Sequence, residues 1–142
     1  MVVVRRLGLV LFLTLALAAC GGSSGGTPDA SAQVKSAYEK FFAANTSLSD
    51  RVALLQDGSR FKPVVQQFAS NPLAKNVGVT VSSVTLQGAD KANVVFTVKF
   101  GNTSLGKQAG TAVRENGTWK VGYAGLCKLV ALAGTTPASC KP

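Results

Sequence analysis

The sequence contains no histidine, and only six of its 142 residues are acidic. Histidine is the side chain that most often moves protons at neutral pH and the commonest metal ligand, so its absence excludes the usual hydrolase triads and zinc sites. The few carboxylates fall at predicted helix ends, turns and outward positions, where none pairs inward: Asp29, Glu39, Asp50, Asp57, Asp90 and Glu115. The sequence therefore predicts a non-catalytic protein without a cofactor or a metal.

Long apolar runs are also scarce. The run Leu7–Ala19 follows Arg5 and Arg6 and is too short for a permanent membrane span, but it suits the core of a signal peptide. It ends in Leu-Ala-Ala followed by Cys20, which is the kind of site that a bacterial lipoprotein signal peptidase cuts. An ordinary secretory signal cut after Ala19 is the simpler alternative, but it leaves the thiol at the cut site unexplained.

The chain accordingly divides into three parts. Residues 1–19 are predicted to be a lipoprotein signal peptide, residues 20–30 a lipidated cysteine with a Gly/Ser linker, and residues 31–142 one α+β domain. Lipidation of Cys20 would anchor the protein in the membrane, because several acyl chains bind a bilayer stably. We expect it at the outer face of the cytoplasmic membrane, in the cell envelope.

Only two cysteines remain once Cys20 is assigned to lipid. Cys127 and Cys140 are close in sequence, and thiols exported to an oxidising compartment usually pair. The sequence predicts a disulfide between them, with two free thiols as the alternative.

The net charge is +9 at pH 7, and the basic residues are scattered along the chain. A nucleic-acid-binding protein concentrates its positive charge, so no nucleic-acid partner is expected. The excess positive charge either directs the domain toward anionic lipids and wall polymers or simply keeps the domain soluble.

Apolar residues recur at helical spacing in the first half of the domain. One helix is expected from the Asp29 to Ser31 region to about Ala44, and a second begins at Ser47, where Asp50 completes a capping-box pattern, and is stopped by Gly58. A third, short helix carries Pro63 in its first turn and ends before Asn71-Pro72.

The apolar period then changes from 3.6 to 2, which indicates strands. The first spans residues 77–86, with a β-bulge at Ser82-Ser83 that keeps both halves, including Leu86, facing the core. The others are expected at residues 92–100, 108–115 and 118–123, with a loop at 101–106 and a tight turn at Asn116-Gly117. A short apolar helix follows over residues 126–132.

This order predicts an α+β fold in which three N-terminal helices pack on a curved four-stranded antiparallel sheet, like a cone, followed by a short C-terminal helix. Three segments carry a resemblance over about residues 30–142: Asn71-Pro72-Leu73-Ala74, Asn116 to Val121, and Cys127 through Cys140. With them the chain resembles actinobacterial lipoproteins related to the mycobacterial low-molecular-weight secreted antigen. The resemblance implies a nuclear-transport-factor-2-like (cystatin-like) fold, surface exposure and antigenicity, and no established enzymatic activity.

The cone is the candidate binding site. Its expected lining is almost wholly apolar: Tyr38, Phe41, Phe61, Phe68, Phe96, Val98, Trp119, Val121 and Tyr123. A pocket of a few hundred Å³ would hold a small apolar ligand, whereas rings that close the space would leave a structural or protein-interaction module. A third alternative is an enzyme that uses Tyr38 or Tyr123. The leading prediction is a lipid-anchored envelope protein that binds an apolar ligand or an envelope partner.

Overall fold

The computed structural model describes residues 29–141. The predicted signal peptide, the predicted lipidation of Cys20 and most of the predicted linker lie outside these residues. Within them the α+β architecture is confirmed, with helices covering one face of a curled four-stranded antiparallel sheet.

Three helices precede the sheet: α1 (Ala30–Phe42), α2 (Leu48–Leu54) and α3 (Gly58–Ser70). The Ser47 hydroxyl accepts a hydrogen bond from the Asp50 N–H at 3.1 Å, so the predicted cap of α2 is confirmed. The Asp29 side chain occupies the cap position of α1 without making a cap bond. Helix α3 ends before Asn71 as predicted, and a 3₁₀ turn (Pro72–Asn76) leads into the sheet.

Two expectations about α2 and α3 are wrong. Gly58 does not stop α2, which ends at Leu54 because Leu55 forms an isolated bridge with Val121. Gly58 instead opens α3, where a side chain would collide with the Val52 carbonyl oxygen, so its role is close packing. Helix α3 is as long as α1, and Pro63 lies in its second turn rather than its first.

The strands are β1 (Val77–Leu86), β2 (Lys91–Phe100), β3 (Thr103–Glu115) and β4 (Thr118–Val121), paired in sequence order. The predicted bulge in β1 is confirmed, because Val81 pairs with Phe96 while Ser83 pairs with Val95. The turn at Asn116-Gly117 is also confirmed, and both residues have positive φ angles.

The structure corrects four details of the second half. The loop expected at 101–106 is a two-residue turn, since Phe100 pairs with Thr103, and Leu86 is exposed rather than inward. Strand β4 ends at Val121, not at Tyr123. Tyr123 instead begins α4 (Tyr123–Leu132), directly after the Gly122 N–H makes the last bond of the β3–β4 ladder, to the Thr111 carbonyl. A second 3₁₀ turn (Ala138–Cys140) closes the fold.

Candidate functional site

Aromatic rings fill the centre of the cone. Seven of the nine residues expected to line a pocket are at most 3% exposed: Tyr38, Phe41, Phe61, Phe96, Val98, Trp119 and Val121. Phe68 and Tyr123 are partly buried against the same core. Ring centroids lie 5.2 Å apart for Tyr38 and Phe96 and 4.7 Å apart for Phe61 and Tyr123, which are ordinary packing distances. The rings thus leave no room at the centre for a guest.

Tyr38 is held in this core by a close approach to β3. Its hydroxyl donates a hydrogen bond to the Thr111 carbonyl. A Cβ atom on Gly110 would lie 2.5 Å from that hydroxyl oxygen and 2.9 Å from the Phe96 ring, so only glycine leaves the space that both rings use. Burial raises the pKa of Tyr38 above its ordinary value, because the phenolate would lose its hydration. The hydroxyl therefore stays protonated and serves a structural bond.

An apolar cleft lies at one end of the cone, where the end of β2, the 3₁₀ turn Pro72–Asn76 and the last residues of α3 and α4 meet. Its volume is about 60 Å³, and it is lined by Gln67, Phe68, Asn71, Leu73, Ala74, Val77, Val98, Phe100, Leu129, Val130, Ala133 and Thr135. Of the predicted lining residues, the structure places Phe68 and Val98 here. An apolar cavity that binds benzene measures about 150 Å³ in another protein, so this cleft suits a slender aliphatic group rather than a ring.

The lining of the cleft carries no acid–base group. Its only side chains with polar atoms are Gln67, Asn71 and Thr135, none of which titrates near neutral pH. The Asn71 side chain is engaged locally, because its oxygen accepts the Leu73 N–H at 2.9 Å. Among residues 29–141, no three histidine, cysteine or acidic side chains come together as a metal site would require. The apolar lining of the cleft can shield an apolar group from water.

The C-terminal segment forms one wall of this cleft, and a disulfide holds it. Cys127 on α4 bonds to Cys140 with a Cα–Cα distance of 5.4 Å, so the predicted pair is confirmed. Leu129, Val130 and Thr135 lie on the bridged segment. By the chain-entropy model, closing a loop of this size contributes on the order of 3 kcal/mol. The bridge therefore fixes the part of the wall that follows α4, including Thr135, relative to the helix.

A buried arginine behind the cleft escaped the sequence reasoning. Arg51 on α2 is 3% exposed, and its guanidinium carbon lies 5.4 Å from the centre of the Phe68 ring. Its Nη2 donates a hydrogen bond to the Ala43 carbonyl at 2.7 Å, and its Nε donates one to the Thr46 carbonyl at 3.2 Å. Arg51 thus pairs with backbone acceptors of the loop that follows α1. Its Nη1 is buried and has no hydrogen-bond partner among residues 29–141. Desolvation lowers the pKa of Arg51 from its ordinary value.

The signal for Arg51 was present in the sequence. It lies three residues after Leu48 and four before Leu55, on the apolar stripe of α2. An arginine on such a stripe indicates that hydrogen-bond acceptors and the face of an aromatic ring surround its guanidinium group in the core.

The comparisons identify a family. A family model described as "Low molecular weight antigen MTB12, C-terminal domain" matches residues 26–137. No curated protein matches the chain. None of the helices between residues 29 and 141 combines the length and the hydropathy needed to cross a bilayer.

Proposed function

The chain belongs to the family of the low molecular weight antigen MTB12, C-terminal domain, and from this premise we propose that it is a lipid-anchored, non-catalytic protein of the cell envelope whose cleft binds an apolar group of an envelope partner. Membership of an antigen family suggests an envelope or extracellular protein. The lipid anchor and the binding activity are the proposed steps.

The binding proposal rests on one observation, which is that the core is filled while an apolar cleft stays open at its edge. The aromatic centre leaves no interior space, whereas the cleft holds about 60 Å³ between Phe68, Val77 and Leu129. Apolar concave surface with few polar groups is the usual character of a binding site. The closed centre by itself favours the structural or protein-interaction module, and the cleft is what supports binding of an apolar group at its edge.

Replacing Cys20 with alanine should release the protein from membranes. The acyl chains that we propose for this sulfur supply the anchor, at about 0.8 kcal/mol per buried methylene. Fractionation of cells that express wild type and Cys20→Ala measures the release, and labelling with a palmitate analogue tests the modification. Cys127→Ser, which removes a cysteine without changing the signal, should stay in the membrane fraction. Membrane-bound Cys20→Ala, or an unlabelled wild type, would contradict the anchor.

Isobutanol, a probe of the size of one aliphatic side chain, should bind in the cleft. We expect a titration to shift the backbone amide resonances of Leu73, Val77 and Ala133 in ¹⁵N NMR spectra, because these residues line the apolar cleft. Resonances at the opposite end of β1, such as that of Gly88 in the turn after this strand, report non-specific effects. Shifts of equal size throughout the domain, or none at the cleft, would sink the binding proposal and leave the anchor untouched.

A further inference from the structure

The curled sheet has a convex face on the side that the helices leave uncovered. Burial along β2 shows which side chains point away from it, because Ala92, Val94, Phe96 and Val98 are at most 1% exposed and the residues that alternate with them are more exposed. The outward residues of β2 define the middle of the convex face: Lys91, Asn93, Val95, Thr97 and Lys99. Residues that pair directly across an antiparallel ladder share a face, so the register extends the assignment to the other strands.

The lysines of the strands all lie on the convex face: Lys91, Lys99, Lys107 and Lys120. Lys107 pairs with the outward Thr97, and Lys120 pairs with Val113, the residue opposite Lys91. Their placement therefore follows from the ladders and from burial.

Negative charge is scarce on the same face. Glu115 is the only acidic residue of strands β1 to β4, and Lys120 already binds its carboxylate at 2.9 Å. The other lysines of the face are exposed and form no ion pair within residues 29–141: Lys91, Lys99 and Lys107. These three ammonium groups are free to meet an external anion.

The lysines form two groups at opposite ends of the convex face. Lys99 is a diagonal neighbour of Lys107, at about 7 to 8 Å between Cα atoms. Lys91 and Lys120 flank Val113 on its two sides, roughly 10 Å apart. From Lys91 to Lys99 strand β2 spans at most roughly 27 Å. A ligand that meets both groups must therefore be long and extended.

Small polar side chains lie between the two lysine groups. Thr80 pairs with Thr97, and Thr85 pairs with Asn93, so hydroxyl and amide groups line the path. The aromatic residues of the strands pack against the core instead: Phe96, Phe100 and Trp119. A face without large apolar side chains offers no anchor for a bilayer or for the hot spot of a protein interface, whereas its polar groups suit a hydroxylated ligand.

We propose that the convex face is a docking surface for an extended anionic polysaccharide. Its acidic groups would pair with the lysines at the two ends, and its hydroxyls would form hydrogen bonds with the threonine and asparagine side chains between them. A chain that reaches both lysine groups gains affinity, because its second contact is intramolecular. The convex face is separate from the apolar cleft, and binding at one does not require binding at the other.

An oligogalacturonate, which is a linear polysaccharide with a carboxylate on every sugar, is the probe for a ¹⁵N NMR titration of the mature chain. We expect it to shift the amide resonances of Thr80, Asn93 and Thr97, and to bind more weakly as salt rises. A neutral maltodextrin of equal length lacks the charge, and polyglutamate lacks the sugar hydroxyls. Each of these two should bind at least about tenfold more weakly than the oligogalacturonate.

Charge reversal on the two sides of the domain locates the site. Lys99→Glu combined with Lys107→Glu should weaken the binding of oligogalacturonate at least about tenfold. Lys40→Glu combined with Lys62→Glu changes the net charge equally, but on exposed positions of α1 and α3, and should weaken it less than about twofold. The milder pair Lys99→Gln and Lys107→Gln should weaken it about threefold or more and keeps the test valid if the glutamates disturb folding.

Several results would overturn the proposal. Equal weakening by the two glutamate pairs would show that net charge, and not the convex face, attracts the polysaccharide. Equal binding of maltodextrin would remove the role of charge, and equal binding of polyglutamate would make the partner an acidic protein. Absence of shifts on the convex face, or binding only to phosphatidylglycerol vesicles in a flotation assay, would reject a polysaccharide there even if isobutanol binds in the cleft.

Discussion

Phe96→Ala should destabilise the domain by about 3 to 5 kcal/mol, the usual cost of deleting a ring from a close-packed core. Phe96 is 1% exposed on the inward face of β2, and its ring contacts Tyr38 and Phe42 at centroid distances of 5.2 and 6.2 Å. Alanine would leave a cavity that these rings, fixed by their own neighbours, cannot close. Urea denaturation monitored by the fluorescence of Trp119 measures the loss.

Val95→Ala is the matched control, because Val95 is the preceding residue on the opposite, outward face of the same strand. It should cost about 1 kcal/mol or less, within the range of strand propensities. Similar costs for the two variants would show that Phe96 does not lie in a closed core, and the filled-cone description would fail.

Arg51→Met should cost about 2 to 5 kcal/mol although it keeps much of the side chain's apolar bulk. The substitution leaves the Thr46 carbonyl without its donor and the Ala43 carbonyl with only the Thr46 N–H, and each hydrogen bond lost from a charged group contributes about 1.5 to 3 kcal/mol. It also removes the cation from the face of Phe68. The midpoint of urea unfolding and the loss of protection from amide exchange at the end of α1 measure the effect.

Arg60 provides the control for the ring contact. Its guanidinium carbon also lies 5.4 Å from a phenylalanine centroid, that of Phe61, but Arg60 is exposed. Arg60→Met should cost only about 0.5 to 1 kcal/mol. Arg51→Lys should fall between the two, because an ammonium group cannot reproduce the paired donors. An Arg51→Met variant as stable as Arg60→Met would show that the carbonyl bonds contribute little.

Most helices, strands and turns could be predicted from the sequence, because each of them depends on residues that are adjacent in the chain. The cap at Ser47, the termination at Asn71-Pro72, the bulge near Ser82-Ser83 and the turn at Asn116-Gly117 each depend on a few adjacent residues. The inward face of β2 follows from simple alternation, and the disulfide follows from cysteine count. Each of these predictions is confirmed by the structure.

The errors occur where a distant contact decides the local structure. Glycine commonly ends helices, but the close approach of the Gly58 Cα to Val52 places this glycine at the beginning of α3. Tyr123 continues the alternation of Trp119 and Val121, yet the β3–β4 ladder ends at Gly122, where a side chain would collide with Thr111, and α4 begins at Tyr123. Neither contact can be read from adjacent residues.

The cleft was beyond sequence reasoning for a related reason. Its walls come from the last residues of α3 and α4, the first residue of β1 and the end of β2, which the fold alone brings together. The large aromatics were expected to border a pocket because they point inward, but their contact with one another is what closes the centre. Residues at the margin of a core, such as Ala74 and Ala133, give no periodic signal.

The order of the strands sets a sequence of folding events. Neighbours in the sheet are neighbours in the chain, so the β1–β2 and β2–β3 hairpins close short loops and can form within microseconds. Helix α1 is different, because the Tyr38 hydroxyl binds Thr111, 73 residues away. We therefore expect α1 to dock after the meander has formed, so that substitutions in β2 slow folding while substitutions at Tyr38 mainly accelerate unfolding.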